Sequence, residues 1–253
     1  GNSRSFNKEK MDAIVKALGK QNAEVASIER KAKKTYSPAL YDLTELQRDA
    51  NKLFGYSAKE TLNIMQKLYE QHKVLTYPRT DSRYLSSDIV STIPERLKAI
   101  GGAEYSKLAN KIANKPIKAT KAFVDDSKVS DHHAIIPTEG YVNYSAFNDK
   151  ERKIYDLVVK RFLAVLYPAH EFEQLTVHAK IGSESFIARG KTVTKPGWKE
   201  VYNNRFEEDE SSDDVKEQLL PRINKGDTLK VSLIAQTSGQ TKPPARFNEA
   251  TLL

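Results

Sequence analysis

The hydrophobic period of this chain changes near Pro168, and the change limits the folds that the chain can adopt. Between residues 149 and 166, apolar side chains recur every three or four positions, which predicts an amphipathic helix. Over residues 175–181 they alternate with polar side chains, which predicts a strand that is buried on one face. A Gly-Ser turn at 182–183 then leads into a second strand at 186–189. Helices and strands therefore occupy separate stretches, which is typical of an α+β fold.

Two further helices are predicted upstream from their end signals. Residues 42–54 have apolar side chains at helical spacing, and Gly55 is placed to end that helix. Ser57 and Glu60 have the spacing of a capping box at the start of the next helix, which should end near His72. The remaining helical patterns lie at 87–100, with a break or restart at Pro94, and at 103–112, followed by a predicted loop at 113–147.

Strand patterns also occur near both ends of the chain, at 24–34 and at 229–233. They place the first and last thirds of the chain in one β-rich domain. We therefore expect a multidomain fold in which a mainly helical domain, residues 39–167, is inserted into a discontinuous β-rich domain, residues 1–38 and 168–240.

Composition excludes several classes of protein and site. The 253 residues include no cysteine, which excludes disulfides, thiolate zinc sites and cysteine nucleophiles and suits a cytoplasmic protein. No apolar run approaches the ~20 residues that span a bilayer, so no membrane partner is expected.

The formal net charge of +8 understates how basic most of the chain is. Residues 207–214 contain six acids and no base, a pattern typical of a solvated, disordered loop. Without them, 41 basic residues stand against 27 acidic ones. Such an excess predicts salt-sensitive binding to phosphates, although charge alone does not identify a partner.

The segment around Tyr77 has the chemistry of a phosphate-attacking nucleophile. Pro78 disfavours helix at the preceding residue, and in an extended backbone Arg79 would share a face with Tyr77. A free phenol, with a pKa near ~10, is a weak nucleophile, so a neighbouring guanidinium would favour its ionised form and hold the phosphate oxygens. The alternative is an ordinary amphipathic tyrosine beside a surface pair formed by Arg79 and Asp81.

A second polar segment, at 130–139, contains the adjacent residues His132 and His133. Consecutive side chains diverge on a strand or a helix, so the two imidazoles are poorly placed to ligate one metal ion, and no metal site is predicted. The lysines before this segment are either solvated or follow a nucleic-acid backbone. They are Lys115, Lys118, Lys121 and Lys128.

Residues 76–84 (Thr-Tyr-Pro-Arg-Thr-Asp-Ser-Arg-Tyr) resemble the active-site segment of type IA DNA topoisomerases, and residues 130–139 resemble the second active-site signature of that family. The Tyr-Pro-Arg and Asp-His-His-Ala-Ile-Ile-Pro-Thr forms are similar to the bacterial topoisomerase III branch. Residues 38–50 also match. Residues 241–253 resemble the segment where the chain leaves its β-rich arch and returns to the body of the enzyme.

The resemblance implies a mechanism and a set of site residues. Tyr77 would cleave one DNA strand and hold its end as a transient 5′-phosphotyrosine, allowing strand passage (relaxation or decatenation) without ATP. Arg79 would orient Tyr77 and His132 would contact the scissile phosphate, while His133 stands where the topoisomerase I branch has glutamate. Supporting positions would be Thr80, Asp81 and Ser82, and DNA-binding positions would be Arg83, Tyr84, Lys115, Lys118, Lys121 and Lys128.

The same resemblance implies that part of the enzyme is missing from this sequence. The family binds Mg²⁺ in an N-terminal (Toprim) domain through an Asp-x-Asp motif, and that motif is absent from this chain. We therefore expect a fragment that carries the tyrosine domain and the arch, binds no cofactor itself and is inactive alone. Its expected partners are single-stranded DNA and the missing magnesium and body domains, and it is expected to be a monomer.

Two other functions compete with this interpretation. A non-catalytic clamp for single-stranded DNA would leave Tyr77 dispensable. A tyrosine recombinase or type IB enzyme would need a His-x-x-Arg sequence ahead of the tyrosine, and none occurs in this chain.

Overall fold

The computed structural model describes residues 5–19, 21–100, 103–113, 116–203 and 220–253. Its α-helices are α1 (Lys8–Leu18), α2 (Leu43–Phe54), α3 (Ala58–Glu70), α4 (Ile93–Ala99), α5 (Ala103–Ala113), α6 (Asp149–Leu166) and α7 (Glu249–Leu252). Its strands are β1 (Ala23–Thr35), β2 (His170–Ile181), β3 (Glu184–Lys195) and β4 (Thr228–Leu229), and its 3₁₀ helices are Ser87–Thr92, Asp126–Lys128, Tyr144–Ala146 and Gly197–Tyr202. The predicted α+β class is confirmed, while Lys115 and the acidic run at 207–214 lie outside the described residues.

The chain divides into two compact units. The sheet unit comprises the described residues of 1–34, 171–195 and 207–244. The helical unit comprises those of 35–170, 196–206 and 245–253. The predicted domain limits, which remain a prediction, differ from this division in where they put residues 196–206.

Residues 196–203 pack in the helical unit through one large side chain. Trp198 is 1% exposed, and its indole Nε1–H donates to the Thr35 carbonyl at 3.0 Å. Gly197 makes this close packing possible, since a Cβ at its position would lie 2.2 Å from the Ala169 carbonyl oxygen. The sequence analysis predicted no helix here, because Gly197–Tyr202 is a short 3₁₀ helix without helical periodicity.

The sheet unit is a four-stranded sheet in the order β3-β2-β1-β4. As predicted, β2 and β3 form an antiparallel hairpin, and Gly182 takes a positive φ of 58° at its turn. The strand predicted at 229–233 is wrong over most of its length, because β4 pairs with β1 only through Thr228 and Leu229. Helix α1, which the sequence analysis did not predict, places Leu18 in a small apolar cluster with Ala23 and Ile181.

The end signals of α2 and α3 act largely as the sequence predicts. The Asp42 carboxylate accepts from the Glu45 amide at 2.7 Å, and Gly55 ends α2 in the left-handed conformation. At α3, Ser57 accepts from the Glu60 amide at 3.1 Å. The reciprocal half of that predicted capping box does not form among the described residues, because the Glu60 carboxylate pairs with Lys150 instead.

Helix α6 is central to the helical unit. Asn148 and Glu151 form a complete capping box at its start, and the helix covers the predicted range. Its apolar face, including the fully buried Ile154 and Phe162, belongs to one continuous hydrophobic core. Helices α2, α3 and α5 all contact α6, so this core braces the segments that carry the two sequence motifs.

Candidate active site

The two motif segments lie side by side in the helical unit. Leu75 pairs with Pro137 in antiparallel orientation, and the Thr76 amide donates to the Ile136 carbonyl at 3.0 Å. The Thr138 amide donates to the Val74 carbonyl, also at 3.0 Å. The backbone leading to Tyr77 is therefore extended and fixed against the strand that follows the histidines.

The ring of Tyr77 lies between two other rings. Its centroid is 4.3 Å from that of His132, with the planes tilted by 39°, and 5.5 Å from that of Tyr69, edge-to-face at 81°. Residues about 55 positions apart in the sequence thus meet at one point. The sequence analysis did not select Tyr69, although its place in the last turn of α3, just before the Tyr77 segment, is a signal that could have found it.

A cavity of about 440 Å³ opens beside the Tyr77 ring. Its lining includes Tyr77, His132, His133, Asp88, Asp126 and Asp131. No lysine or arginine lines the cavity among the described residues. The lining therefore combines three aromatic rings with three carboxyl groups.

Thr80 and Ser82, both buried, connect the tyrosine segment to the histidine segment. The Thr80 hydroxyl donates to the His132 carbonyl at 3.0 Å, and the Ser82 hydroxyl donates to the Lys128 carbonyl at 2.8 Å. These bonds fix the backbone on which His132 stands. Asp81, between them, is exposed.

Arg79 does not lie against Tyr77. The backbone bends at Pro78, which breaks the alternation of side chains on which the sequence argument depended. The exposed guanidinium makes no hydrogen bond, ion pair or cation–π contact with any residue that the structure describes.

The remaining predicted DNA-binding residues divide into engaged and exposed groups. Arg83 is engaged, since its Nε donates to the Leu40 carbonyl at 3.1 Å. Lys128 donates to the Tyr84 hydroxyl at 3.1 Å and lies 4.3 Å from the centre of that ring, which raises the pKa of the lysine. One face of Tyr84 is thus already covered, whereas Lys118 and Lys121 are exposed.

His133 has a different environment from its neighbour. Its Nδ1 lies 2.7 Å from the Ala134 carbonyl, and burial lowers the pKa of its imidazole, so it is neutral at pH 7. The strand that follows is held by Arg96, which is 6% exposed and donates to the Pro137 carbonyl at 2.7 Å. The sequence analysis did not select Arg96, which lies beside apolar positions of the short helix α4.

The described residues contain neither a cluster of metal ligands nor a membrane-spanning helix. No group of three His, Cys, Asp or Glu side chains there is arranged to hold a metal ion. Within the same residues, no helix has the length and apolar character required to cross a bilayer.

Comparison with known proteins gives a consistent result. A family model described as DNA topoisomerase matches residues 1–253. Proteins named DNA topoisomerase 3 from Bacillus anthracis and Bacillus subtilis (strain 168) are 79% and 57% identical to this chain over 253 and 251 residues. The chain spans only 35% and 34% of the length of these relatives.

A solved structure, full-length topoisomerase I from Thermotoga maritima, is similar to this chain with a TM-score of 0.63. The match covers 91% of this chain and 36% of that one, at 21% sequence identity. At this identity the likeness shows the fold alone.

Proposed function

This chain belongs to the type IA DNA topoisomerase family, in its topoisomerase III branch, and we propose that Tyr77 is the nucleophile that cleaves one DNA strand. The observation that carries the proposal is the contact between the rings of Tyr77 and His132 at the edge of a cavity. Backbone hydrogen bonds between the two segments fix the chain beside both residues, as a positioned nucleophile requires.

The proposed step exchanges one phosphate ester for another. The phenol oxygen of Tyr77 attacks the phosphorus, the bond from phosphorus to the 3′-oxygen breaks, and the 3′-hydroxyl leaves with a proton. The 5′-phosphate remains as a phosphotyrosine. Because the number of phosphate ester bonds is conserved, the 3′-hydroxyl can attack back and reseal the strand without ATP. A second strand passes through the gap while it is open.

Neighbouring side chains have different roles in this step. His132, whose ring contacts that of the nucleophile, would hydrogen-bond an oxygen of the phosphate, and Arg79 would reach the phosphate from the solvent side. Thr80 and Ser82 support the site indirectly by fixing the backbone of the histidine segment. Exposure of Lys118 and Lys121 supports contact with the DNA backbone.

Magnesium has no suitable ligand set in the part of this chain that the structure describes. The Mg²⁺ expected of the whole enzyme, its N-terminal magnesium domain and its body domain remain predictions about the longer relatives, of which the chain spans about a third. Single-stranded DNA as substrate, a monomeric state and a cytoplasmic location are likewise proposals.

The proposal is tested by trapping the covalent intermediate. This chain replaces the matching segment of the full-length Bacillus anthracis relative, to which it is 79% identical. The chimera is mixed with a single-stranded oligonucleotide labelled at its 3′ end and with magnesium, then denatured and separated on a gel. We expect the label to move with the protein, because a 5′-phosphotyrosine retains the 3′ part of the strand.

Tyr77→Phe should abolish the labelled adduct. Tyr141→Phe is the matched control, since Tyr141 is 87% exposed and does not line the cavity. A folded chimera that binds the oligonucleotide but forms no adduct would support a non-catalytic single-strand clamp instead.

A further inference from the structure

The sheet unit has a surface of its own, on the face of the sheet opposite its apolar clusters. Along β2, Leu175, Val177 and Ile181 point into those clusters, so the alternate side chains point the other way. The register between β2 and β3 places Thr176 opposite Arg189 and Lys180 opposite Ser185. We call this surface the open face; its charged side chains are Glu24, Glu29, Lys31, Lys33, His178, Lys180, Arg189 and Lys191.

Three contacts place the charged residues of β1 and β3 on this face. Glu29 pairs with Lys31 at 2.7 Å, and it also interacts electrostatically with His178. Lys33 follows by alternation along β1. On the other side of β2, the Lys191 ammonium lies 4.3 Å from the centre of the Phe172 ring.

The charge of the open face is strongly one-sided. Five lysine and arginine side chains share it with two carboxylates. The carboxylate of Glu29 is already paired with Lys31, and Glu24 lies between Ala23 and Val25, which point into the apolar clusters. Four of these five basic side chains are exposed, and the fifth, Lys191, is half-buried. Long cationic side chains that share one surface create a positive potential that attracts a polyanion.

The open face has little with which to bind unpaired bases. Proteins that hold single strands stack the bases on exposed aromatic rings. Phe172 is only 8% exposed and is covered by Lys191, and His178 is half-buried. Among the described residues, the face therefore offers charge for phosphates and no aromatic platform.

From this charge and this lack of stacking groups, we propose that the open face binds the backbone of double-stranded DNA without reading its sequence. Lysine ammonium groups neutralise phosphates as point charges, which fixes position but does not distinguish bases. The open face belongs to the sheet unit and the tyrosine cavity to the helical unit, and the proposal does not depend on cleavage by Tyr77.

The test measures duplex binding by the 253-residue chain as a function of salt. All proteins carry Tyr77→Phe, so that cleavage plays no part, and a labelled duplex is followed by fluorescence anisotropy. One variant replaces three lysines of the open face: Lys33→Gln, Lys180→Gln and Lys191→Gln. Its matched control replaces three exposed lysines of α1, in the same unit: Lys8→Gln, Lys10→Gln and Lys16→Gln.

Each phosphate contact contributes about 0.9 to the slope of log affinity against log salt concentration for duplex DNA. The magnitude of this slope should therefore be smaller by about two to three for the open-face variant, and the reduction should be similar on duplexes of unrelated sequence. The α1 control has the same net charge and should lose less than one.

Three results would overturn the proposal: no duplex binding by the parent chain, equal losses in the two triple variants, or a larger loss for single-stranded than for duplex DNA. Circular dichroism checks that the variants fold. If the triple variant does not, Lys180→Gln alone replaces it, since this exposed side chain has no partner among the described residues. A slope reduced by about one then supports the proposal, and an unchanged slope rejects it.

Discussion

The helical unit and the sheet unit differ in both core and charge. The helical unit has one continuous core that includes α2, α3 and α6 and encloses the segments around Tyr77 and His132. The sheet unit has two small clusters, one around Leu18 and one around Val25. The cavity beside Tyr77 is lined by carboxylates, whereas the open face of the sheet is rich in lysine and arginine.

This difference suggests a division of labour. A nucleophile must be held within a fraction of an ångström, which requires a rigid, well-packed support. Electrostatic contact with a DNA backbone tolerates flexible side chains on a thinner scaffold. We infer that the helical unit supplies chemistry and the sheet unit supplies affinity, so that the two properties can be changed separately.

The largest expected effect comes from removing packing in the helical unit. Phe162 is fully buried in α6, and Phe162→Ala should lower the free energy of unfolding by about 3–5 kcal/mol. Val177→Ala, in the smaller cluster of the sheet unit, should cost about 2 kcal/mol. Urea unfolding with hydrogen exchange measures both, and amide protection should fall mainly in the unit that carries each substitution. Loss of protection throughout the chain from Val177→Ala would contradict two separate cores.

A pair of glycines gives the next largest effect. Gly197, in the helical unit, has φ of 55°, and a Cβ there would lie 2.2 Å from the Ala169 carbonyl oxygen. Gly197→Ala therefore combines backbone strain with a steric clash and should cost about 2–4 kcal/mol. Gly226, in the sheet unit, has φ of 90° but no atom within 4 Å of its Cβ position, so Gly226→Ala should cost about 1 kcal/mol.

Thermal unfolding compares the two alanine variants directly. Both glycines have a positive φ, so both alanine variants include the cost of that backbone conformation. The difference between their losses of stability therefore measures the clash of the new Cβ with the Ala169 carbonyl, at the start of the 3₁₀ helix Gly197–Tyr202. Equal losses of stability would mean that the segment 197–202 relaxes without cost.

Local signals account for the parts of the fold that the sequence predicts. Gly55 ends α2, Asn148 begins α6, and the alternation along β2 marks its buried face, because each depends on residues close in sequence. The strand predicted beyond Leu229 is wrong because its pattern lacks a paired neighbour, and strands need partners as well as alternation.

The sequence selects candidate residues for the site, but their geometry depends on the tertiary structure. Short motifs identify Tyr77 and His132, and the structure brings them together. The contact with Tyr69 depends on how α3 packs, and the direction of Arg79 depends on a bend at Pro78. Neither follows from spacing, since both are set by tertiary structure.

A smaller effect, on rate alone, should come from Tyr69. Its edge-to-face contact with Tyr77 restricts the nucleophile to one ring orientation. Tyr69→Leu should slow single-turnover cleavage by the chimera about three- to tenfold, the size of one aromatic contact, and leave DNA affinity unchanged. Tyr69→Phe keeps the ring and should keep the rate.

The two classes of variant should show opposite behaviour. Lysine substitutions on the open face are expected to weaken binding without changing the rate at saturating DNA, whereas Tyr69→Leu changes only the rate. A loss of affinity in Tyr69→Leu would remove the distinction between the two units.

The smallest effect concerns alkaline pH and should appear only in the helical unit, where all 12 tyrosines lie. Burial, with the nearby charge of Glu200, raises the pKa of Tyr167 from 10.0 to about 12, and its hydroxyl donates to the Leu108 carbonyl at 3.1 Å. Below pH 10 the folded and unfolded states both keep this proton. Between pH 10 and about 12 only the folded state does, so the free energy of unfolding falls as pH rises.

Tyr167→Phe should therefore lose about 1 kcal/mol of stability at pH 7, with its hydrogen bond, and then decline less steeply than the parent between pH 10 and 12. Lysines titrate over the same pH range in both units. The measured quantity is therefore the difference in the free energy of unfolding between parent and variant at each pH. If the free energies of unfolding of parent and variant fell in parallel with rising pH, Tyr167 would ionise equally in the folded and unfolded states. A difference in amide protection that reached the sheet unit would show that alkaline pH acts on the two units together.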